Sequence, residues 1–153
     1  MEFKKQVHIV NRKAKHEYYF KDMYEAGLML KGTEVKSIRL NNAHLADAYC
    51  YFRGTELFVR NIYIAPYKYG GHYNHDPIRE RKVLLKKQQL KKLFKKKEEK
   101  GMTIIPYKIY FSDRGFVKLE IALAEGKKQH DKRTTIRDRD NKRELDRAKK
   151  MDY

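Results

Sequence analysis

The chain has 153 residues, 41% of them apolar and 37% charged, with 37 Lys and Arg against 20 Asp and Glu for a formal charge of +17. That length and apolar share supply one core of ordinary size, while the charged share stands well above the usual quarter or so. The single cysteine, Cys50, excludes an intrachain disulfide and a zinc site built on several thiolates.

Charge sets the first expectation about partners. The 20 acids do not offset the bases where those cluster, so the surplus points to a polyanion, nucleic acid before others, rather than to solubility alone. The N-terminus carries charge but no apolar segment of the kind a secretion signal needs. Nowhere is there a run of roughly 18 apolar residues. No membrane partner and a cytoplasmic location are therefore expected.

Residues 1–6 carry few signals and read as frayed. Asn11 is a helix cap for Arg12-Lys13-Ala14-Lys15-His16, good helix formers over about one turn. From Tyr18-Tyr19-Phe20 to Leu28-Met29-Leu30 the aromatic density predicts a long strand, bent at Gly27 and ended by Gly32. The segment 33–40 fits a helix slightly better than a strand, with Thr33 as cap and Lys36 and Arg39 on one outward face. Asn41-Asn42 is a turn. Residues 47–53 and 56–64, joined by Arg53-Gly54-Thr55, read as a hairpin in which Cys50 is a core thiol.

Residues 65–82 are the longest irregular stretch, rich in Gly, Pro and Tyr. The next 20 residues, 81–100, hold ten Lys or Arg and two Glu. They predict a helix with Val83, Leu90, Leu93 and Phe94 inward and Leu85, Gln89, Lys92 and Lys96 outward. Like charges at helical spacing repel, so this density implies phosphate contact. The clearest pair is 103–111 with 116–124 around Ser112-Asp113-Arg114-Gly115, with Lys118 and Glu120 on its outer face. Residues 126–153 hold eleven bases, six acids and few apolar points. Such a tail cannot bury enough to order itself when free, yet its composition supports a helix beside a partner that neutralises it.

About five strands in two hairpins plus a lead strand predict a mainly β fold. The expected form is a small oligonucleotide-binding-type barrel over residues 1–125 with short flanking helices, followed by the basic tail 126–153. Enzyme motifs for phosphate loops, zinc proteases and serine hydrolases are absent. His72, His75 and Asp76 are the one grouping that could hold a metal, and loop polarity is the plainer reading. No cofactor and no metal are therefore expected. Tyr67, Tyr69 and Tyr73 are candidate stackers on unpaired bases. Glu25 and Glu34 stand out in a basic chain. Each either reads a base donor or 2′-hydroxyl, or makes an ion pair, for which Lys36 and Arg39 are the nearest partners.

Five ordered blocks then carry a resemblance. Asn11-x-x-Ala14-x-His16-x-Tyr18, Tyr24-Glu25-Ala26-Gly27-Leu28, Gly32-Thr33-Glu34-Val35-Lys36-Ser37-Ile38-Arg39, Asp76-Pro77-x-Arg79-x-Arg81-Lys82 and Gly126-Lys127-Lys128-x-His130-Asp131-Lys132-Arg133 resemble the SmpB family of bacterial SsrA-binding proteins from about residue 8 to 140. The resemblance implies a closed oligonucleotide-binding-type barrel, a tail unstructured off the ribosome, and no enzymatic activity. It implies an adaptor that binds the tRNA-like domain of transfer-messenger RNA and brings it to stalled ribosomes for trans-translation. It places Asn11, His16, Glu25, Lys36, Arg39, Leu84, Lys118, Lys127 and Lys128 where the family contacts or supports the RNA. His130, Asp131, Lys132 and Arg133 fall in the block that leads the tail to the ribosomal decoding centre, where it folds as a helix in the empty mRNA channel. Elongation factor Tu and alanyl-tRNA synthetase would be met indirectly, through the RNA, by a monomer. Late in the tail the family often carries an aromatic and an apolar pair. Here Asn141 and Ala148-Lys149-Lys150-Met151 occupy the region, with Leu145 and Met151 available to substitute.

Overall fold

The computed structural model describes residues 7–99 and 101–151, with side chains left aside at 129, 130 and 149–151. Residues 1–6, which read as frayed from sequence, Lys100 and residues 152–153 lie outside the described part. Strand β1 (His8–Val10) leads into helix α1 (Arg12–Glu17), which Asn11 caps by accepting the Ala14 N–H at 3.3 Å. The long strand β2 (Tyr18–Leu28) follows, with a bulge between Phe20 and Asp22, and helix α2 (Gly32–Arg39) settles the ambiguous segment as helical. Asn41 stops α2 with φ of 59° and returns its N–H to the Ile38 carbonyl, a left-handed cap that Asn tolerates.

Short strand β3 (Ala43–His44) precedes the hairpin β4 (Tyr49–Arg53) and β5 (Glu56–Arg60). The predicted strand 56–64 is broken at Asn61, which has φ of 64°; its end turns away as β6 (Tyr63–Ile64) to pair with β3. After the loop come β7 (Arg81–Leu84) and helix α3 (Lys87–Lys97). Strands β8 (Met102–Phe111) and β9 (Val117–Gly126) form the predicted hairpin, and helix α4 (Gln129–Met151) closes the chain.

The wall is a ring: β8 pairs with β4, then β5, β7, β2 and β9 in turn, and β9 returns to β8. Closure removes the sheet edges, and β1 lies along the remaining flank of β8. The ring has one more strand than the pattern predicts, because residues 81–84 are not helix. Their side chains alternate, with Arg81 and Val83 buried and Lys82 and Leu84 facing out. A buried arginine hides that two-residue period from hydrophobicity. The helix therefore starts at Lys87. Leu90 and Leu93 keep their inward places, whereas Phe94 is exposed at the edge, meeting the Phe52 ring, and Leu85 packs against the core rather than on an outer track.

Two helices close the two mouths of the barrel. Helix α3 lies over the one near Asp22 and Phe52: Leu93 is fully buried, Phe94 meets Phe52 edge-on at 5.1 Å, and Lys96 pairs with Asp22. Helix α2 covers the opposite mouth, where Ile38 is fully buried and Arg39 lies 5.6 Å over the Phe111 ring. On the outside, α1 sets Ala14 against Ile105, Ala122 and Ala124, a second small core that Tyr18 and Phe20 flank.

Candidate nucleic-acid interface

Strand register gathers part of the predicted site. Leu84 of β7 lies opposite Gly27 of β2, and Gly27 lies opposite Lys118 of β9, so one row crosses three strands. Residues two apart share a face, which brings Glu25 onto the same outward side beside Glu120. Two carboxylates opposed on neighbouring strands repel. Here Glu120 stands opposite Lys108 on its other side, and the Tyr110 phenol lies near Glu25. Burial first, and then its interaction with Glu25, push the Tyr110 phenol up to about 12. It therefore keeps its proton at neutral pH and faces the carboxylate as a donor. Lys36 and Arg39 stand exposed on α2 over the same mouth, with Lys36 5.2 Å from the Tyr67 ring.

A second group forms at the root of the tail. The Lys127 backbone N–H donates to the Glu17 carbonyl at 2.8 Å. Its ammonium donates to the Lys15 carbonyl at 3.1 Å and the Thr135 hydroxyl at 3.0 Å, and sits 4.8 Å over the Tyr19 ring. Tyr19 in turn engages Asp131, whose charge adds to burial in raising the Tyr19 phenol. His16 is half-buried in the last turn of α1, on the side of the barrel that carries Lys118. Lys128 and Arg133 are exposed and Lys132 half-buried; His130 lies in the first turn of α4, its side chain outside the described residues. From Lys118 to the end of β9 is about 25–30 Å at the rise of a strand. A partner that touches both groups must therefore span at least that length of the surface.

Asn11 has a different role. It is buried, its amide donating to the Leu45 and Pro106 carbonyls, each at 3.2 Å, while its oxygen caps α1. It holds α1 on the barrel from within.

Glu34 is fully buried at the start of α2. Its partners are neither Lys36 nor Arg39. One oxygen accepts from Arg79 at 2.6 Å and from the Lys31 N–H at 2.8 Å, and the other accepts from Arg81, itself fully buried. Burial pushes this carboxyl up, but the bonds from Arg79, Lys31 and Arg81 outweigh it and hold the group below its usual value. The signal was present as Arg79-x-Arg81, two bases spaced to share one face of an extended segment.

The loop trio does not form a metal centre. His75 is buried, its Nε2 donating to the Ile64 carbonyl at 2.9 Å and its Nδ1 accepting from the Thr33 hydroxyl at 2.8 Å. Asp76 spends an oxygen on the Ile78 N–H, and no group of three potential ligands converges among the described residues. Of the loop tyrosines, Tyr69 and Tyr73 are well exposed, while Tyr67 packs edge-on against Tyr69.

Comparison with known proteins gives a consistent answer. The family model described as SmpB protein matches residues 8–151. An SsrA-binding protein of Flavobacterium psychrophilum is 54% identical over 146 residues, which is 95% of this chain and 97% of the relative. An SsrA-binding protein of Cytophaga hutchinsonii is 50% identical over 148 residues, covering 97% of each chain. A solved structure described as "tmRNA-SmpB: a journey to the center of the bacterial ribosome" superposes with a TM-score of 0.68 at 46% identity, over 80% of this chain and 86% of that one.

Proposed function

The chain belongs to the SmpB protein family, and on that premise we propose that it is an RNA-binding adaptor of ribosome rescue. It binds the tRNA-like domain of transfer-messenger RNA with its body, residues 1–125, and carries it to stalled ribosomes for trans-translation. The tail, residues 126–153, faces the decoding centre and the empty mRNA channel. The work is non-enzymatic, cytoplasmic and done by a monomer, with elongation factor Tu and alanyl-tRNA synthetase reached only through the RNA.

The observation that carries this reading is the outward row of Leu84, Gly27 and Lys118 with Glu25 beside it. Lys118 offers a phosphate contact. Glu25 cannot, since phosphate repels it; its use is to accept a hydrogen bond from a base edge or a 2′-hydroxyl. The basic root around Lys127 and Lys128 adds phosphate contacts a strand's length away. A metal-dependent RNA-cleaving reading would need His75, whose ring nitrogens are both committed within the fold.

Charge gives the test its sign. Lys118→Ala should weaken binding severalfold and flatten the slope of log affinity against log salt by about 0.7–0.9, as expected when one phosphate is no longer neutralised. Glu25→Ala makes a basic surface more basic, so charge alone would strengthen binding. Weakening with no flattening of the salt slope is the expected result, and it marks a specific hydrogen bond. A gel-shift titration against transfer-messenger RNA and bulk tRNA reads both. Equal affinity for the two RNAs would reduce the protein to a generic basic binder and sink the proposal.

A further inference from the structure

Lys127 joins the barrel to the tail, and its ammonium is committed before any partner arrives. An ammonium has three N–H donors and no acceptor. One donates to the Lys15 carbonyl of α1 at 3.1 Å and another to the Thr135 hydroxyl of α4 at 3.0 Å, while the nitrogen lies 4.8 Å over the Tyr19 ring of β2. The Thr135 hydroxyl donates in turn to the Asp131 carbonyl at 3.0 Å, which orients it to accept from Lys127. The Asp131 carboxylate stands beside the Tyr19 phenol and gives α4 a second contact with the same ring. From Ile136 to Ala148 every described side chain is exposed. The tail helix is therefore tied to the barrel at its first turns, around one ammonium and the ring beneath it.

We propose that Lys127 is a latch: RNA phosphate that takes its ammonium releases α4 from the barrel, so that docking on the body frees the tail for its own partner. The inference rests on the RNA-binding reading above, in which Lys127 meets phosphate, and adds the regulation of that same site. Counting donors gives the conflict. With two hydrogen bonds made and a ring face below, the ammonium cannot take a phosphate oxygen squarely without giving up a present partner. A phosphate oxygen is a charge-assisted acceptor and outcompetes a neutral hydroxyl. Charge then decides which partner is lost. The Lys15 carbonyl belongs to the body and carries no net charge, so phosphate does not repel it. Asp131 does carry one, and phosphate arriving over Tyr19 repels it just as Thr135 loses its donor. Both tail contacts weaken in the same event. Coupling of this kind is reciprocal. Whatever RNA binding loses in opening the latch is returned as tighter binding when the latch is already open.

The experiment uses the full chain and a transcript of the tRNA-like domain of a transfer-messenger RNA. Thr135→Val keeps the shape of the side chain and removes the acceptor. It should tighten binding about two- to threefold, the low end of what one hydrogen bond contributes. In a Lys127→Ala chain the same substitution should change nothing, because the pair it breaks is already gone. Motion of the tail is read separately. The single cysteine, Cys50, is buried, so a nitroxide attached at Ile136→Cys labels one exposed site just past the last latch contact. Its lines should narrow as RNA saturates the protein, and in the Thr135→Val chain they should be narrow before RNA is added. Unchanged or weaker binding of Thr135→Val, a gain that persists without Lys127, or nitroxide lines that hold or broaden while RNA binds overturns the latch and leaves the RNA-binding reading standing. If the unsubstituted chain itself fails to hold the RNA, that reading falls and the latch with it.

Discussion

Glu34→Gln should lower the unfolding free energy by about 3–5 kcal/mol, the scale seen when one partner of a buried ion pair is removed. The carboxylate has no solvent access and takes hydrogen bonds from Arg79, the Lys31 N–H and Arg81, whose guanidinium is equally buried. An amide keeps the shape. It replaces one acceptor with a donor and leaves the Arg81 charge without its counterion. The remaining Arg81 bonds, to the Ile62 carbonyl at 2.8 Å, the Pro77 carbonyl at 3.3 Å and the Asp76 carbonyl at 3.5 Å, all go to neutral backbone oxygens. A urea titration near neutral pH reads the loss as a shift in midpoint at constant slope.

The same group predicts an acid limb. Its folded pKa lies below the unfolded value, so its contribution is complete above the ordinary Glu value of about 4.3 and disappears as pH falls through the depressed folded value. The Glu34→Gln chain lacks that group, so its stability should change less steeply below about pH 4.3 than that of the unsubstituted chain. Replacing Glu34 and Arg81 together with apolar residues of similar volume should recover much of the loss. If Glu34→Gln costs no more than about 0.5 kcal/mol, the range of an ordinary surface change, the buried pair is not what fixes α2 over the barrel mouth.

Much of the architecture was legible because it follows local rules. The Asn11 cap, the β8–β9 hairpin with its outward Lys118 and the Asn41 stop each rest on residues close in sequence. What sequence missed was set by contacts far along the chain. Residues 81–84 look helical because a run of lysines follows them and because Arg81 does not look like a core residue. Only Glu34, 47 positions earlier, makes burying it tolerable. For Glu34 the sequence leaves an RNA contact and an ion pair to Lys36 or Arg39 both open, whereas its partners, Arg79 and Arg81, lie beyond the loop. The site divides in the same way. Glu25, Leu84 and Lys118 are named by the family resemblance, but only strand register makes them neighbours. Tyr110, beside Glu25, gave no signal beyond being aromatic in a strand.

Ending the chain after Lys128 should leave RNA binding within about threefold of the full chain while abolishing ribosome rescue. The barrel ladder is complete without the tail, since β9 ends at Gly126 opposite Tyr18. Beyond its root, α4 offers the body nothing to bury: from Lys142 to Ala148 every described side chain is exposed, Leu145 included. Most helical stability comes from packing an apolar face, which this helix lacks beyond its root, so its order is best supplied by a polyanionic surface that neutralises its bases. Ending the chain two residues earlier, after Gly126, removes Lys127 and Lys128 as well. That shorter chain should bind severalfold more weakly and show a flatter salt slope, by about 0.7–0.9 for each phosphate left without its lysine. The two truncations therefore separate recognition from delivery at a two-residue boundary. Rescue is read by peptide tagging on ribosomes stalled without a stop codon, and binding by the same gel shift used for Lys118→Ala. If the chain ended after Lys128 loses most of its RNA affinity, recognition extends into the tail. The division into a binding body and a ribosome-facing arm would then fail.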